Sequence, residues 1–163
     1  MSLPLNSAVI EPLKGAAPPD APNRQMLARA LDQALAAIDR NLAHFGDDFP
    51  APSSIAGVYP AIGNVEWTNG FWTGMLWLAY EATGVQRYRD AAERHVAGFH
   101  QRQAQRINVN HHDLGFLYSL SCVAAYKLTG SAVAAEAAMG AAGLLLERYQ
   151  ERAGIIQAWG DLN

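Results

Sequence analysis

The sequence predicts an all-α protein built from helical hairpins, and three observations predict it. Alanine is abundant, while Val, Ile and Thr are scattered and never alternate, a composition that favours helices over strands. Apolar residues recur at spacings of three and four, beginning with Leu27, Leu31, Ala34, Ile38, Leu42 and Phe45. The third is an internal repeat. Residues 69–84 read NGFWTGMLWLAYEATG and residues 115–130 read GFLYSLSCVAAYKLTG; both close on Ala-Tyr-x-x-Thr-Gly, with Gly130 46 residues after Gly84.

Each element follows in order. Residues 1–21 read as an irregular lead-in, broken by Pro4, Pro12, Gly15, Pro18 and Pro19. Helix one is expected from residue 22 or 23 to residue 45, stopped by Gly46. Residues 47–64 form a loop rich in Pro, Ser and Gly, long enough to suggest a function. Helix two is expected over 71–83, helix three over 86–103, helix four over 112–129 and helix five over 132–151. Gly84 and Gly130 close the second and fourth. Residues 153–163 read as a loop with a short apolar Ile155-Ile156. A helix-turn-helix unit at this period means stacked hairpins, as in solenoids of the HEAT type or in closed toroids of paired helices. Gly70, Gly74 and Ala79, and Gly115, Ser119 and Ala124, suit helices two and four to an inner ring. Helices three and five carry more charge and suit an outer one.

At 163 residues the chain is one domain, and 50% hydrophobic against 17% charged residues means it buries a core. A net charge of −3 without a Lys/Arg cluster argues against nucleic-acid binding. Arg102 and Arg106 read as a solvated last helical turn, favoured by the helix dipole. Cys122, the only cysteine, excludes an intrachain disulfide and reads as a buried structural thiol in a reducing compartment. Met1 to Ile10 lack a basic region and a sustained apolar run. No signal peptide, no membrane span and a cytoplasmic location are therefore expected.

The densest chemistry is His111-His112-Asp113-Leu114-Gly115-Phe116, which follows Asn108-Val109-Asn110 where a loop turns into a helix. Asp113 reads two ways. With Asn110 as N-cap it is the third helical residue and satisfies backbone N–H groups; otherwise it is a carboxylate at a helix start that faces a cleft. His111 and His112 point about 100° apart on a helix and do not easily share a metal. No metal or other cofactor is expected, and one histidine is expected on a ligand while the other caps or faces solvent. About one repeat upstream lies Trp67-Thr68-Asn69-Gly70-Phe71-Trp72-Thr73-Gly74. Trp72 and Trp77 fall inside helix two and read as core. Trp67 and Trp159 each follow turn-rich or polar segments, and are either packed under a loop or presenting a ring face to a ligand such as a sugar. No phosphate-binding loop, dinucleotide fingerprint or nucleophile elbow is present.

Together with Gly154-Ile155-Ile156-Gln157-Ala158-Trp159, these two stretches resemble the unsaturated glucuronyl hydrolases of glycoside hydrolase family 88. The resemblance runs from about residue 25 to the last residue. It implies an (α/α)6 toroid of six helical hairpins. Residues 22–163 would form the N-terminal part of a single catalytic domain, incomplete at roughly two and a half hairpins. It implies a substrate, an oligosaccharide carrying a 4,5-unsaturated uronic acid left by polysaccharide lyases. An Asp protonates the enol-ether double bond, water adds at C5, and the hemiketal collapses with loss of the glycosidic bond. By this resemblance Asp113 is the family's second essential carboxylate, His112 binds substrate, and Trp67 and Trp159 are aromatic walls. The general acid is expected beyond Asn163, because Asp161 stands too close to Trp159 to match it. The 163 residues alone are then expected to be inactive, and exposed inner-helix faces to favour self-association. Two alternatives remain: an unsaturated rhamnogalacturonyl hydrolase, and a helical-repeat module that binds a protein on its concave face.

Overall fold

The structure, a computed structural model, describes residues 23–160 and Leu162. The predicted lead-in over residues 1–21 and Asp161 lie outside the described residues. Helix α1 (Arg24–Phe45) starts where Asn23 Oδ1 accepts the Met26 N–H at 2.9 Å, and ends at Gly46, whose φ of 58° no β-carbon favours. The next segment is not structureless: β1 (Phe49–Pro50) pairs antiparallel with β2 (Ala61–Ile62). Helices α2 (Asn69–Thr83) and α3 (Gln86–Ala104) form the first hairpin. The second begins with one continuous helix in three parts: α4 (Leu114–Tyr118), a π-helical turn over Ser119–Val123, and α5 (Ala124–Thr129). It returns through α6 (Ala132–Leu146), and β3 (Tyr149–Gln150) pairs with β4 (Ile155–Ile156) after it. Among the described residues, no helix is long and apolar enough to cross a membrane.

The repeat has a physical cause. Thr83 Oγ1 donates to Ala79 O at 2.6 Å and accepts from the Val85 N–H at 3.2 Å. Thr129 does the same with Ala125 O at 2.7 Å and the Ser131 N–H at 3.2 Å. Gly84 (φ 69°) and Gly130 (φ 72°) then turn left-handed, and their N–H groups close on Tyr80 O and Tyr126 O. Ala-Tyr-x-x-Thr-Gly is therefore a helix-end motif, used once in each hairpin.

Packing places α2 between α3 and the α4–α5 helix, with α6 against α3 and α1 leaning on α2. This is the expected stack, an arc of a helical toroid. Trp72, Leu76 and Trp77 of α2, Phe99 of α3, Leu114 and Leu117 of α4 and Ala137 of α6 are buried at its centre. Cys122 is fully buried, and burial pushes its thiol up to about 11, as suits a structural residue. Gly70 permits a close backbone approach: a β-carbon there would stand 2.5 Å from Leu117 O and 2.7 Å from Leu117 Cα. Beside that contact Ser121 Oγ donates to Leu117 O, a side-chain bond to the preceding turn within the π-helical stretch.

Several sequence expectations are corrected. Helix four begins at Leu114, not residue 112, and helix five ends at Leu146, not 151. The final segment is a hairpin rather than a plain loop, because the chain turns to bury Arg148, which is 1% exposed. The charge expected on helix five falls past its end, leaving Glu136 as the charged residue of α6. The α1 stripe works only in its C-terminal half: Leu27, Leu31 and Ala34 are exposed, while Ile38, Leu42 and Phe45 reach the core, joined by Leu35, which the predicted stripe did not include.

Inside the core, Thr73 Oγ1 lies 3.0 Å from His95 Nδ1, and Phe49 covers the ring with centroids 4.4 Å apart. Desolvation lowers the His95 pKa to about 4, with the Asp47 charge opposing it. The unfolded imidazole titrates near about 6.5. Stability is thus fully present above that value and lost as pH falls toward 4, by on the order of 3 kcal/mol. Urea unfolding of the wild type and of His95→Gln at pH 7 and pH 4.5 checks this; the variant is expected to lose most of the difference between the two curves. Gly70→Ala is expected to cost about 1–3 kcal/mol by overpacking against Leu117. Gly143→Ala, with open space around its new methyl, is expected to stabilise by roughly 0.5–1 kcal/mol. The same urea titrations measure both.

Candidate active site

Three loops meet at one end of the hairpins: residues 63–68 before α2, residues 105–113 before α4, and the segment after β4. Asn69, fully buried at the start of α2, ties down the first. Its Oδ1 accepts the Glu66 N–H at 2.8 Å and its Nδ2 donates to Gly63 O at 3.1 Å.

Arg102 joins the first loop to the second. It is 2% exposed, against the expectation of a solvated last turn, because the loop end of the fold closes over it. Its Nη1 donates to Asn64 Oδ1 (3.1 Å) and Glu66 O (3.0 Å), its Nη2 to Val65 O (3.2 Å) and Asn108 O (2.9 Å), and its Nε to Ile107 O (3.1 Å). Asn108 takes φ 45° so that its carbonyl faces this guanidinium, and Asn tolerates that conformation better than most residues. Arg106 behaves as expected: it is exposed and pairs with Glu147.

Arg148 joins the second loop to the third. Its Nε donates to Gln157 O at 2.7 Å, its Nη1 to Asn110 Oδ1 and its Nη2 to Gly160 O at 3.4 Å. The His112 N–H adds a bond to Ala158 O at 3.1 Å. Arg148 lies 46 residues after Arg102, and Asn110 lies 46 residues after Asn64. The arginine–asparagine pair is thus part of the repeat. Sequence reading missed both pairs; the 46-residue offset was the signal that reveals them.

These ties place the predicted residues. Asp113 sits at the N-cap of α4, but its side chain makes no capping bond, and Asn110 is engaged by Arg148. The reading of Asp113 as a third helical residue behind an Asn110 cap is therefore corrected, and its carboxylate is free for other work. With a 16% exposed side chain, it has Oδ2 3.7 Å from His111 Nδ1 and Oδ1 3.4 Å from His112 Nε2. His111 Nε2 lies 2.9 Å from Asn108 O, so this nitrogen carries the proton, and the neutral ring turns a bare Nδ1 to Asp113. Desolvation lowers the His111 pKa, opposed by the Asn108 carbonyl and then by the Asp113 charge.

Trp67, His111, Asp113 and Trp159 line one open cleft of about 360 Å³, together with Glu66, Asn108 and Asn110. Glu66 is a second carboxylate on this wall that sequence reading did not single out. Trp67 (43% exposed) touches the rings of Phe71 and Phe116, with centroids 6.2 and 6.4 Å away. Trp159 (67% exposed) stands perpendicular to the His112 ring, centroids 4.7 Å apart. His112 thus reaches both Asp113 and Trp159 from beside the cleft. A larger cavity of about 470 Å³, between α1, the β1–β2 loop and α2, is lined by Phe45, Tyr59, Trp72 and Met75 and carries no carboxylate. The chemistry is concentrated in the smaller one. Among the described residues no group of three or more His, Cys, Asp or Glu is placed to hold a metal ion. A carboxylate flanked by imidazoles, under exposed aromatic faces, is equipped to bind a sugar ring and handle a proton on it.

The family model for Glycosyl Hydrolase Family 88 matches residues 49–160. An unsaturated chondroitin disaccharide hydrolase of Streptococcus pneumoniae is 48% identical over 139 residues, which are 85% of this chain and 35% of that protein. The crystal structure of an unsaturated glucuronyl hydrolase from Streptococcus agalactiae superposes with a TM-score of 0.82 at 46% identity, covering 83% of this chain and 34% of that one. A mutant of the S. agalactiae enzyme complexed with dGlcA-GalNAc6S superposes at 0.76 and 42% identity, covering 78% and 34%. The chain spans about a third of the length of the relatives it matches.

The Asp113 charge is expected to hold the His111 pKa up, against the dominant pull of burial. In an NMR titration His111 should titrate below the ordinary imidazole range, and lower still in Asp113→Asn. An unchanged or raised value in that variant would show that the pair is not electrostatically coupled.

Proposed function

The chain belongs to Glycosyl Hydrolase Family 88, and from that premise we propose that the whole protein removes a 4,5-unsaturated glucuronyl residue from lyase-generated oligosaccharides. The reading rests on one observation above the others. The Asp113 carboxylate is uncapped and partly buried, and lies in a cleft with two exposed tryptophans. A helix-start carboxylate spent on backbone N–H groups would have no such freedom.

The reaction is hydration of the enol ether rather than displacement at the anomeric carbon. A carboxylic acid protonates the C4=C5 bond, water adds at C5, and the hemiketal collapses with release of the rest of the sugar. Asp113 touches the substrate and supports the acid, His112 binds the sugar, and Trp67 and Trp159 form the walls. The general acid lies outside these 163 residues. No metal or other cofactor is required by this scheme. Unsaturated chondroitin disaccharides such as dGlcA-GalNAc6S are the proposed substrate class, by likeness to the streptococcal enzymes. A reducing, cytoplasmic setting suits the single buried thiol of Cys122. Exposed Phe71, Met75, Leu78 and Phe116 on the inner helices favour self-association of these residues when they stand alone.

The test follows the ultraviolet absorbance of the enol ether with unsaturated disaccharides from chondroitin and from rhamnogalacturonan. The whole protein is expected to consume the chondroitin product faster, and residues 1–163 alone to consume neither. Asp113→Asn is expected to cut kcat by at least about a hundredfold with an unchanged circular-dichroism spectrum. Full activity of that variant would sink the role of Asp113. Turnover by residues 1–163 alone would place the acid within them, with Glu66 the first to mutate. Preference for the rhamnogalacturonan product would favour the related pectin-directed enzymes.

A further inference from the structure

Arg148 is buried, yet what it ties down is exposed. Its three nitrogens reach the carbonyls of Gln157 and Gly160 and the side chain of Asn110. Between those two carbonyls stands Trp159, 67% exposed and touching the His112 ring. Burial therefore does not fix the Trp159 ring. The backbone on either side of it is held by one guanidinium, and the same guanidinium holds the turn that leads into His111, His112 and Asp113. A planar fork with donors in fixed directions carries this geometry; a lysine ammonium, a point charge on a flexible stem, does not.

The repeat sharpens the point. Arg102 uses the matching asparagine, Asn64, and closes on the carbonyls of Val65 and Glu66, just before Trp67. Arg148 repeats the device on the loop that carries Trp159, with its donors on both sides of that residue. We propose that Arg148 is a positioning residue for sugar binding: it holds Trp159 upright against His112 in the cleft that Asp113 lines. The proposal rests on the reading of Trp159 as a sugar-facing wall.

Two measurements test it. The first needs no substrate. A perpendicular tryptophan 4.7 Å away displaces the His112 ring-proton resonances by its ring current. Arg148→Lys and Asn110→Ala are expected to move those resonances toward their position in Trp159→Ala, while the His95 resonances in the helical core stay put. If neither variant moves His112 although Trp159→Ala does, the proposal is wrong. The second uses the whole enzyme. Arg148→Lys is expected to raise KM for the unsaturated disaccharide on the order of tenfold with kcat kept within about twofold. The double variant Arg148→Lys/Trp159→Ala should be no worse than Trp159→Ala alone. Additive losses, or a fall in kcat together with thermal stability, would mean that Arg148 is merely structural. If the wild type turns over no unsaturated uronide, the functional reading fails, and the resonance measurement still decides whether Arg148 positions Trp159.

Discussion

Two buried guanidinium groups set the loop end of this fold. Arg102 and Arg148 are almost inaccessible to water, and neither has a salt-bridge partner among the described residues. Taking an arginine out of water costs several kcal/mol unless its donors are met. Here they are met by backbone carbonyls and by the asparagines Asn64 and Asn110. Since the fork fixes where its acceptors must lie, the loops have little choice but to converge on it. The left-handed backbone at Asn108 is one local cost of that convergence.

The cleft inherits its order from these groups. Arg102 and His111 both donate to the Asn108 carbonyl, so the same atom that satisfies a buried cation also orients the imidazole beside Asp113. Arg148 holds the Asn110 side chain, and α4 begins only at Leu114, with Asp113 and not Asn110 at its N-cap. Asp113 is left at the helix start without a capping bond and faces the cleft. A rigid helical scaffold thus carries exposed aromatic and titratable groups on loops, a common division of labour in enzymes.

Much of the scaffold was legible in the chain. Helix identity followed from apolar spacing, and the helix ends at Gly84 and Gly130 from a motif whose threonine and glycine act locally. Trp72, Trp77 and Cys122 were read as core and are core. Gly70 was read as a small inner residue, and its contact with Leu117 shows what the smallness is for. Local rules misplaced the start of helix four and the end of helix five, because loop closure around Arg102 and Arg148 overrides helical preference there. The exposed first half of the α1 stripe was also invisible, since periodicity says which face is apolar but not whether anything covers it.

The sequence by itself determined the helices, the hairpin repeat and the residue types of the cleft: two tryptophans, two histidines and a carboxylate. Those properties are local or periodic, and short-range sterics and hydrogen bonds decide them. Only the tertiary structure decided that Trp67, Asp113 and Trp159 share one cleft, that Asp113 is uncapped, and that two arginines read as surface or passed over hold the site together. Those outcomes depend on burial and on acceptors up to 38 residues away in the chain, as with Arg102 to Asn64 and Arg148 to Asn110. Burial turns an ordinary arginine at a helix end into a fixed hub, because an unmet guanidinium donor has no water to fall back on.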